Sequence, residues 1–291
     1  MARRGEAVFR RDEILSAVAP IRVAVAGAAG RMGRTLIEAC RDAPDIALCA
    51  ALECAGSPYL GQDAGIVARG AGLGIPITPQ LEEVLNAFDV LVEFTAPGAT
   101  LHHLSLCRNA RRRMVIGTTG IPDSGLAAIQ EAAHDCAIVF ASNMSVGVNL
   151  CFKLLETAAR VLGPDYDVEI IEAHHRQKAD APSGTALKMG EIVARGLNRD
   201  LARCAVYDRR NMAGPRPAEA IGFASIRASD IVGEHTVLFA GAGERVEIVH
   251  KATDRGVFAH GALRAARWIS RREPGLFDMQ DVLGLRTVNP P

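Results

Sequence analysis

"IRVAVAGAAGRMGR", Ile21 to Arg34, is the stretch of this sequence that decides the fold of its first part. A β-branched and alanine-rich run breaks into glycines and continues with apolar residues at helical spacing, which predicts a buried strand, a tight turn and a helix. Gly27, Gly30 and Gly33 permit the turn, let a pyrophosphate approach the backbone and seat the helix against the sheet. The unpaired N–H groups at the start of such a helix bind phosphate.

This glycine spacing differs from the common dinucleotide pattern, because Ala29 stands where that pattern has its second glycine. A glycine run on its own is weakly diagnostic, since many strand-to-helix turns contain glycine. A second predicted strand, however, ends at Glu53, about 20 residues farther on, where the acid that binds the adenine ribose is expected. The order of strand, glycines, helix, strand and acid favours dinucleotide binding over a purely structural turn.

The rest of the chain divides into two parts that differ in the pattern of predicted strands and helices. Up to about Ser145, apolar runs typical of strands alternate with helix-like segments, which predicts an α/β fold with a Rossmann-type doubly wound parallel sheet. Helices and strands then mix, and "EHTVLFA" and "ERVEIVHKATD" are predicted to form a hairpin through "GAG". We therefore expect a dinucleotide-binding domain over 21–144, completed by a helical tail over 256–291 that includes "GLFDMQDVLG". A second α+β domain with an open mixed sheet would span 145–255, and 1–20 would form a poorly ordered or weakly helical extension.

Composition limits the classes of partner. The 33 Lys and Arg residues balance 33 Asp and Glu residues, so no overall field favours nucleic acid or an anionic membrane. The seven cysteines include no C-x-x-C pair, which is typical of buried thiols in a reducing cytoplasm. No apolar stretch is long enough to span a bilayer, and acidic residues interrupt the arginine-rich N-terminal segment, so no signal peptide is expected. We expect a cytoplasmic protein without nucleic-acid or membrane partners.

The stretch "EAHHRQKADAPSG", residues 172–184, concentrates titratable side chains on one loop. His174 and His175 follow the predicted strand "DVEIIEA", and imidazole is the side chain best suited to donate a proton near neutral pH. Lys178 adds a cation. For the loop alone, a surface histidine pair with no chemical role is an equally good interpretation. Adjacent histidines on an extended segment point apart and no third ligand accompanies them, so no metal site is expected.

A helix is predicted to begin directly after this loop. Ser183 and Gly184 lead into it near Thr185, and its unpaired N–H groups would form a site for a carboxylate. The loop and the helix together predict a pocket for a small dianion with a proton donor beside it.

Two other segments follow apolar runs and would lie at the ligand-binding edge of the first sheet. They are "GTTG", Gly117 to Gly120, and "ASNMSVGVN", Ala141 to Asn149. Their small and hydroxyl side chains would let a nicotinamide ring approach, although either segment alone also fits an ordinary strand-to-helix turn. The pair His102 and His103 has no acid or metal partner nearby in the sequence, and we interpret it as structural.

Taken together, these segments resemble the 4-hydroxy-tetrahydrodipicolinate reductase family, also called dihydrodipicolinate reductase, of lysine and diaminopimelate biosynthesis. The resemblance covers nearly all of 21–285 and rests on "VAGAAGRMGR", "EFTAPGATLHHL", "VIGTTG", "IVFASNMSVGVN", "EIIEAHHRQKADAPSGTAL" and "DIVGEHTVLFAGAGERVEIVHKATDR". It implies reduction of 4-hydroxy-tetrahydrodipicolinate to tetrahydrodipicolinate by hydride transfer from NADH or NADPH, with loss of water. It also implies a homotetramer assembled through the open sheets of the second domains.

The resemblance assigns roles to residues. His174 would be the proton donor and Lys178 its catalytic partner. The residues that would hold the carboxylates of the cyclic dicarboxylate substrate are His175, Lys178, Ser183, Gly184 and Thr185. The residues that would bind the cofactor are Gly27, Ala28, Ala29, Gly30, Arg31, Met32, Gly33, Glu53, Gly117, Thr118, Thr119, Ala141, Ser142, Asn143 and Met144.

One departure from the family pattern concerns the cofactor. Members that use NADPH well often have arginine directly after the ribose-binding acid, where this sequence has Cys54. The missing cation, with Glu53 repelling a phosphate, predicts a preference for NADH; compensation by Arg31 or Arg34 is the alternative. Two rival functions are a non-catalytic NAD(H) sensor and a dehydrogenase for another substrate such as aspartate. Neither rival explains the histidine loop.

Overall fold

The computed structural model describes residues 19–210 and 213–286 of the 291-residue chain. The predicted N-terminal extension over 1–20 therefore lies almost wholly outside the described residues, as do the last five residues of the predicted tail. Within the described part, no helix combines the length and the apolar character needed to cross a bilayer.

The first sheet contains seven strands, which pair in parallel throughout. They are β1 (Ile21–Ala26), β2 (Ile46–Leu52), β3 (Ile77–Thr78), β4 (Val90–Glu93), β5 (Arg113–Ile116), β6 (Ala137–Phe140) and β12 (Gly275–Phe277). Their spatial order is β12-β6-β5-β4-β1-β2-β3. This arrangement confirms the predicted doubly wound parallel sheet.

Helices cover both faces of this sheet, as the near-continuous apolar character of its strands requires. They are α1 (Arg31–Arg41), α2 (Ala64–Val67), α3 (Leu81–Val84), α4 (Pro97–Asn109), α5 (Asp123–Ala132), α9 (Gly256–Ile269) and α10 (Met279–Val282). Side chains of β1 alternate between the two cores: Val23 and Val25 pack with α1 and α9, whereas Ala24 and Ala26 pack with α4 and α5. The two helix layers bury the sheet between them.

The order of strands reverses between β1 and β4, and this position creates the crevice in which open α/β sheets bind ligands. The glycine loop leaves the carboxyl end of β1, and Thr95 follows β4 beside it. A Cβ added at Gly27 would lie 3.0 Å from the Thr95 methyl group. The dinucleotide motif therefore lies at the edge where the fold places a binding site.

The second sheet has the order β11-β10-β7-β9-β8 and mixes parallel with antiparallel pairs. Its strands are β7 (Asp167–His174), β8 (Ala205–Val206), β9 (Ile221–Arg227), β10 (Gly233–Gly241) and β11 (Glu244–Ala252). Strands β10 and β11 form the predicted hairpin, with Gly243 at φ +88° in its turn. Its helices are α6 (Val146–Leu162), α7 (Gly184–Gly196) and α8 (Leu201–Cys204). The mixed sheet is confirmed.

In the described part of the chain, helices cover one face of the second sheet. Val168, Ile170 and Val237 on that face pack against α6 and α7. Ile171 and Val249 lie on the opposite face, where register pairs each of them with Thr236. Both remain exposed, as does Ile226 on the same face, which is 48% accessible. Three large aliphatic side chains on an uncovered sheet face are typical of an interface.

The tail departs from the sequence prediction. The sequence predicts a helix for "GLFDMQDVLG", but its first three residues form β12, which extends the parallel sheet beside β6. The helix begins only after Asp278, whose side chain accepts hydrogen bonds from the N–H groups of Gln280 and Asp281. The Asp278 N–H in turn donates to Asp281 Oδ2 at 2.8 Å, which completes a capping box. This cap fixes the boundary, because it holds the residues before it outside the helix.

Candidate active site

The glycine loop is shaped as a dinucleotide cradle. Gly27 lies at φ +70°, a left-handed conformation that favours glycine. A Cβ on Gly33 would lie 2.0 Å from the Gly27 carbonyl oxygen, so the helix packs against the loop more closely than any side chain allows. Helix α1 begins without a side-chain cap among the described residues, which leaves its first N–H groups for an anion. These features fit a bound pyrophosphate.

Glu53, the predicted ribose-binding acid, lies against this loop. The Ala29 N–H donates to Glu53 Oε2 at 3.0 Å, and the Cys54 N–H donates to Glu53 Oε1 at 3.0 Å. Cys54 itself is exposed. Glu53 thus lies beside the glycine loop, as the sequence order predicts.

Arginines surround the outer side of the same loop. One cavity is lined by Ala29, Arg31, Arg34, Glu38, Arg69 and Arg255, among others. The Arg34 guanidinium donates to the Ala29 carbonyl at 2.9 Å and lies over the Tyr59 ring, 5.1 Å from its centroid. Arg69 adopts φ +61°, which is unusual for a residue with a side chain. Sequence reasoning did not identify Arg69 or Arg255, because each comes from a separate element.

A buried hydroxyl network supports the "GTTG" segment. The Thr118 hydroxyl accepts from the Thr95 N–H at 3.1 Å and is 2.8 Å from the Thr100 hydroxyl. A Cβ on Gly117 would lie 2.2 Å from the Phe94 ring. The carboxyl ends of β4 and β5 are therefore fixed against each other, while Thr119 remains exposed.

The structure gives His103 an acidic partner that the sequence did not indicate. His103 Nδ1 lies 2.6 Å from Glu93 Oε2, and Glu93 is fully buried at the end of β4. The other oxygen of Glu93 accepts from the Thr95 hydroxyl. An acidic partner therefore exists, ten residues earlier in the sequence, because α4 runs back along the strand that precedes it.

The segment after β6 connects the first sheet to the helices that pack on the second sheet. Asn143 Nδ2 donates to the Thr185 hydroxyl at 3.1 Å, and Asn143 Oδ1 accepts from the Ser145 N–H at 2.9 Å. Asn149 Nδ2 donates to the Asn143 carbonyl oxygen at 2.9 Å. Met144 is buried. A residue predicted to bind the cofactor thus contacts one predicted to bind the substrate.

His174 ends β7 and is 9% accessible. Its Nδ1 lies 2.5 Å from Glu172 Oε2, and a Cβ added at Gly233 would lie 3.1 Å from its Nε2. Burial lowers the pKa of His174 most strongly, and the ionised Glu172 carboxylate opposes that effect without reversing it. Glycine at 233 therefore leaves room beside the ring nitrogen that Glu172 does not occupy.

The loop after β7 carries the remaining predicted groups. Lys178 Nζ contacts both carboxylate oxygens of Asp180, at 2.8 and 2.9 Å. His175 Nδ1 is buried without a hydrogen-bond partner among the described residues. The Nδ1 atoms of His235 and His250 are likewise buried without a partner in that part of the chain, so this feature alone does not distinguish His175.

Ser183 begins α7 and links it to the histidines. Its hydroxyl accepts from the Ala186 N–H at 3.1 Å and lies 3.0 Å from His235 Nε2, while its own N–H donates to Glu172 Oε1 at 3.2 Å. His235 lies edge-to-face against His174, with 5.1 Å between ring centroids. Burial lowers the pKa of His235 to about 4, so this imidazole is neutral at neutral pH.

Sequence reasoning missed Glu172, Arg227 and His235. Glu172 lies two residues before His174, and alternation along a strand places both on one face. That spacing was available from the sequence. Arg227 and His235 reach the site only because β9 and β10 flank β7 in the sheet. Among the described residues, no group of three or more His, Cys, Asp or Glu side chains is arranged to hold a metal ion.

Comparison with known proteins adds to this geometry. A family model described as "Dihydrodipicolinate reductase, N-terminus" matches residues 21–144, and one described as "Dihydrodipicolinate reductase, C-terminus" matches 147–283. The chain is 58% identical over 266 residues to the 4-hydroxy-tetrahydrodipicolinate reductase of Nitrosospira multiformis, covering 91% of this chain and 98% of the relative. It is also 58% identical over 264 residues to the protein of that name from Chromobacterium violaceum, with 91% and 98% covered.

Solved structures are similar as well. Dipicolinate-bound dihydrodipicolinate reductase from Paenisporosarcina sp. TG-14 has a TM-score of 0.70 at 27% identity, covering 90% of this chain and 98% of that one. GenD2 from gentamicin A biosynthesis, in complex with NAD, has a TM-score of 0.56 at 15% identity, with 100% and 91% covered. The second similarity concerns the fold alone.

Proposed function

The chain belongs to the dihydrodipicolinate reductase family, as an NAD(P)H-dependent oxidoreductase that reduces 4-hydroxy-tetrahydrodipicolinate in lysine and diaminopimelate biosynthesis, and we propose the residues that perform each part of this reaction. The observation that carries the proposal is that Glu172 contacts both His174 Nδ1 and the Ser183 N–H, so that the buried imidazole lies beside the start of α7.

The cofactor would bind along the carboxyl edge of the first sheet. Backbone N–H groups of the glycine loop would hold its pyrophosphate, and Glu53 would accept from the adenine ribose. The segments 117–119 and 141–144 would line the nicotinamide. When bound, the cofactor supplies the hydride. The remaining chemistry belongs to the side chains of this chain.

His174 would donate the proton from Nε2. Its Nδ1 contacts a carboxylate, which only accepts hydrogen bonds, so Nε2 is the nitrogen left to exchange a proton. The lowered pKa of His174 means that the ring is largely neutral in the free protein at neutral pH. A dianionic substrate raises the pKa of a neighbouring imidazole, since opposite charge favours the protonated form. Substrate binding would therefore charge the donor.

The substrate carboxylates would bind where the chain presents cations and unpaired donors. Lys178 would contribute its ammonium group, exchanging part of its pairing with Asp180 for the substrate. His175 would donate from its unpartnered ring nitrogen. The first N–H groups of α7, at Gly184 and Thr185, would complete the clamp. Ser183 would act by holding the start of this helix in place.

We propose that NADH is the preferred cofactor. Cys54 offers no cation to a 2′-phosphate, and the neighbouring Glu53 carboxylate would repel one. Arg34 is engaged by the Ala29 carbonyl and by the Tyr59 ring. Use of NADPH would then depend on Arg31 and the arginines near it.

We propose that the enzyme is a homotetramer of the cytoplasm, joined through the uncovered faces of the second sheets. Support comes from the exposed aliphatic side chains of Ile171, Ile226 and Val249 on one face. We also propose the division into a nucleotide domain over 21–144, completed by 256–291, and a second domain over 145–255. The addition of β12 to the first sheet supports this division.

Replacing the proton donor tests the assignment. In His174→Gln we expect turnover to fall by about 10² to 10⁴, the span attributed to general acid catalysis. The measurement is loss of reduced-nicotinamide absorbance, with NADH and then NADPH, using substrate generated from pyruvate and aspartate semialdehyde by the upstream synthase. His134→Gln, at an exposed position directly after α5 of the first sheet's helix layers, is the matched control. Tight NADH binding without turnover in the unmodified protein would instead indicate a nucleotide sensor.

A further inference from the structure

Glu172 is a buried carboxylate that has no role of its own in the proposed reaction. Its side chain is 1% accessible. Arg227 contacts it twice, through Nη1 to Oε2 at 2.8 Å and through Nη2 to Oε1 at 2.7 Å. His174 Nδ1 and the Ser183 N–H occupy its remaining acceptor positions. One carboxylate therefore contacts the proton donor, the start of α7 and a guanidinium.

We propose that Glu172 is a positioning residue that fixes the ring of His174 and the start of α7 in one arrangement, with Arg227 balancing its charge. This inference rests on the proposed role of His174 as proton donor. It concerns two residues that act through His174 and Ser183 and need not touch the substrate.

Glu172 selects the tautomer of His174. An ionised carboxylate has no hydrogen to donate, so the 2.5 Å contact requires the proton to lie on His174 Nδ1. A neutral ring then carries its lone pair on Nε2, beside the space that Gly233 leaves open. Without Glu172, the neutral ring can place its proton on either nitrogen, and no carboxylate fixes the orientation of the ring.

Glu172 remains ionised throughout the range in which His174 titrates. Burial alone would raise the pKa of Glu172, but hydrogen bonds led by the Arg227 guanidinium lower it to about 2. The Glu172 carboxylate in turn raises the pKa of His174 against the effect of burial, whereas the positive charge of Arg227 lowers the pKa of His174. The two residues therefore act on His174 in opposite directions.

Charged and titratable groups face His174 from each neighbouring element. They are Glu172 on β7, Lys178 and Asp180 on the loop, Arg227 on β9 and His235 on β10, with His250 on β11 in register behind His235. Lys178 lowers the pKa of His174, as Arg227 does. Glu172 is the group among these that both contacts the ring and favours its protonated form.

Arg227 also contacts the histidine loop, residues 172–184. Its Nη2 donates to the Asp180 carbonyl at 2.5 Å, and Asp180 is the partner of Lys178. The Ala228 N–H donates to the His174 carbonyl at 2.9 Å. The end of β9 thus holds both ends of the histidine loop beside Glu172.

Glu172→Gln keeps the size of the side chain and removes its charge. We expect the apparent pKa of His174 to fall by about 1 or more, the effect of one adjacent charge. Activity needs the protonated ring, so the fall of kcat/KM with rising pH should move to lower pH. Arg227→Gln should move the same limb to higher pH. The number of protons taken up on binding dipicolinate can be measured by calorimetry in two buffers and does not require turnover. The pH dependence of this uptake should move to lower pH in Glu172→Gln and to higher pH in Arg227→Gln.

Glu169→Gln is the matched control, because Glu169 lies on the same strand and pairs with Arg209 and Arg216 away from His174. It should leave both pH profiles unchanged. A lower melting temperature in Glu172→Gln with unmoved profiles would overturn the proposal, since that is the signature of a structural residue. If Glu172→Gln does not fold, an unmoved profile in Arg227→Gln has the same meaning. Calorimetric shifts in a protein without reductase activity would retain the inference and reject the proposed function.

Discussion

At the scale of single residues, position 54 offers the sharpest test of cofactor choice. Cys54→Arg places a guanidinium directly after Glu53, where a 2′-phosphate would otherwise meet only a carboxylate. We expect kcat/KM for NADPH to rise about tenfold, as one added charge-assisted hydrogen bond of about 1.5 kcal/mol predicts, with little change for NADH. Steady-state kinetics with both cofactors measure the ratio.

Cys54→Met is the matched control, because it fills similar space without adding charge. Equal gains for Cys54→Met would show that the thiol affects packing and would contradict the charge argument. Efficient use of NADPH before any substitution would transfer the role to Arg31 and its neighbours.

The sequence predicted those site residues that lie close together along the chain. The glycine loop is one continuous stretch of sequence, and so is the loop from His174 to Thr185. The order of residues within each stretch therefore indicates its chemistry. Arg227 contacts Glu172 across 55 residues of sequence, and only the order of strands in the sheet brings the two together. The sequence did not indicate the acidic partner of His103 for a related reason, since Glu93 lies on a different element.

At the scale of elements, the start of α7 joins stability to substrate binding. Ser183→Ala removes the cap on the Ala186 N–H and the contact with His235. We expect the free energy of unfolding to fall by about 1 kcal/mol, which is typical of a lost N-cap. KM for the substrate should rise more than kcat falls, because the start of α7 is the proposed carboxylate site and is held less firmly without its cap. Chemical denaturation and steady-state kinetics provide the two measurements.

Asp200→Ala removes the cap of α8 by the same chemistry, at a helix that holds no predicted site residue. It should reduce stability with no change in KM. An equal change of KM in both variants would show that substrate binding follows stability alone.

Long, strongly patterned elements such as β1, α1 and α7 were predictable, whereas short ones were not. Strand β3 has two residues and β12 has three, too few to show a period. For β12, pairing with β6 decides the conformation of residues that a local pattern assigns to a helix.

At the scale of the whole molecule, the uncovered sheet face should determine assembly. Ile226→Asp places a charge among exposed aliphatic side chains that the proposed interface would bury. An unpaired buried charge is strongly disfavoured, so we expect the tetramer to dissociate into smaller species. Sedimentation velocity measures the change directly.

Val161→Asp is the matched control, since Val161 is 78% accessible on α6, which covers the other face of the sheet. It should leave the assembly intact. Dissociation by Val161→Asp and not by Ile226→Asp would move the interface to the helical side.

The distribution of thiols gives the enzyme a built-in attachment point for a reporter. All seven cysteines lie in the described part of the chain, four are buried and two are partly covered, and burial raises the pKa of each of these six. Alkylating reagents attack the thiolate, so these six thiols react slowly. Cys54 is exposed beside Glu53, at the edge where the adenosine end of a cofactor would lie. A maleimide fluorophore would therefore attach to the unmodified sequence at one place, and its emission would follow occupancy of the nucleotide site in real time.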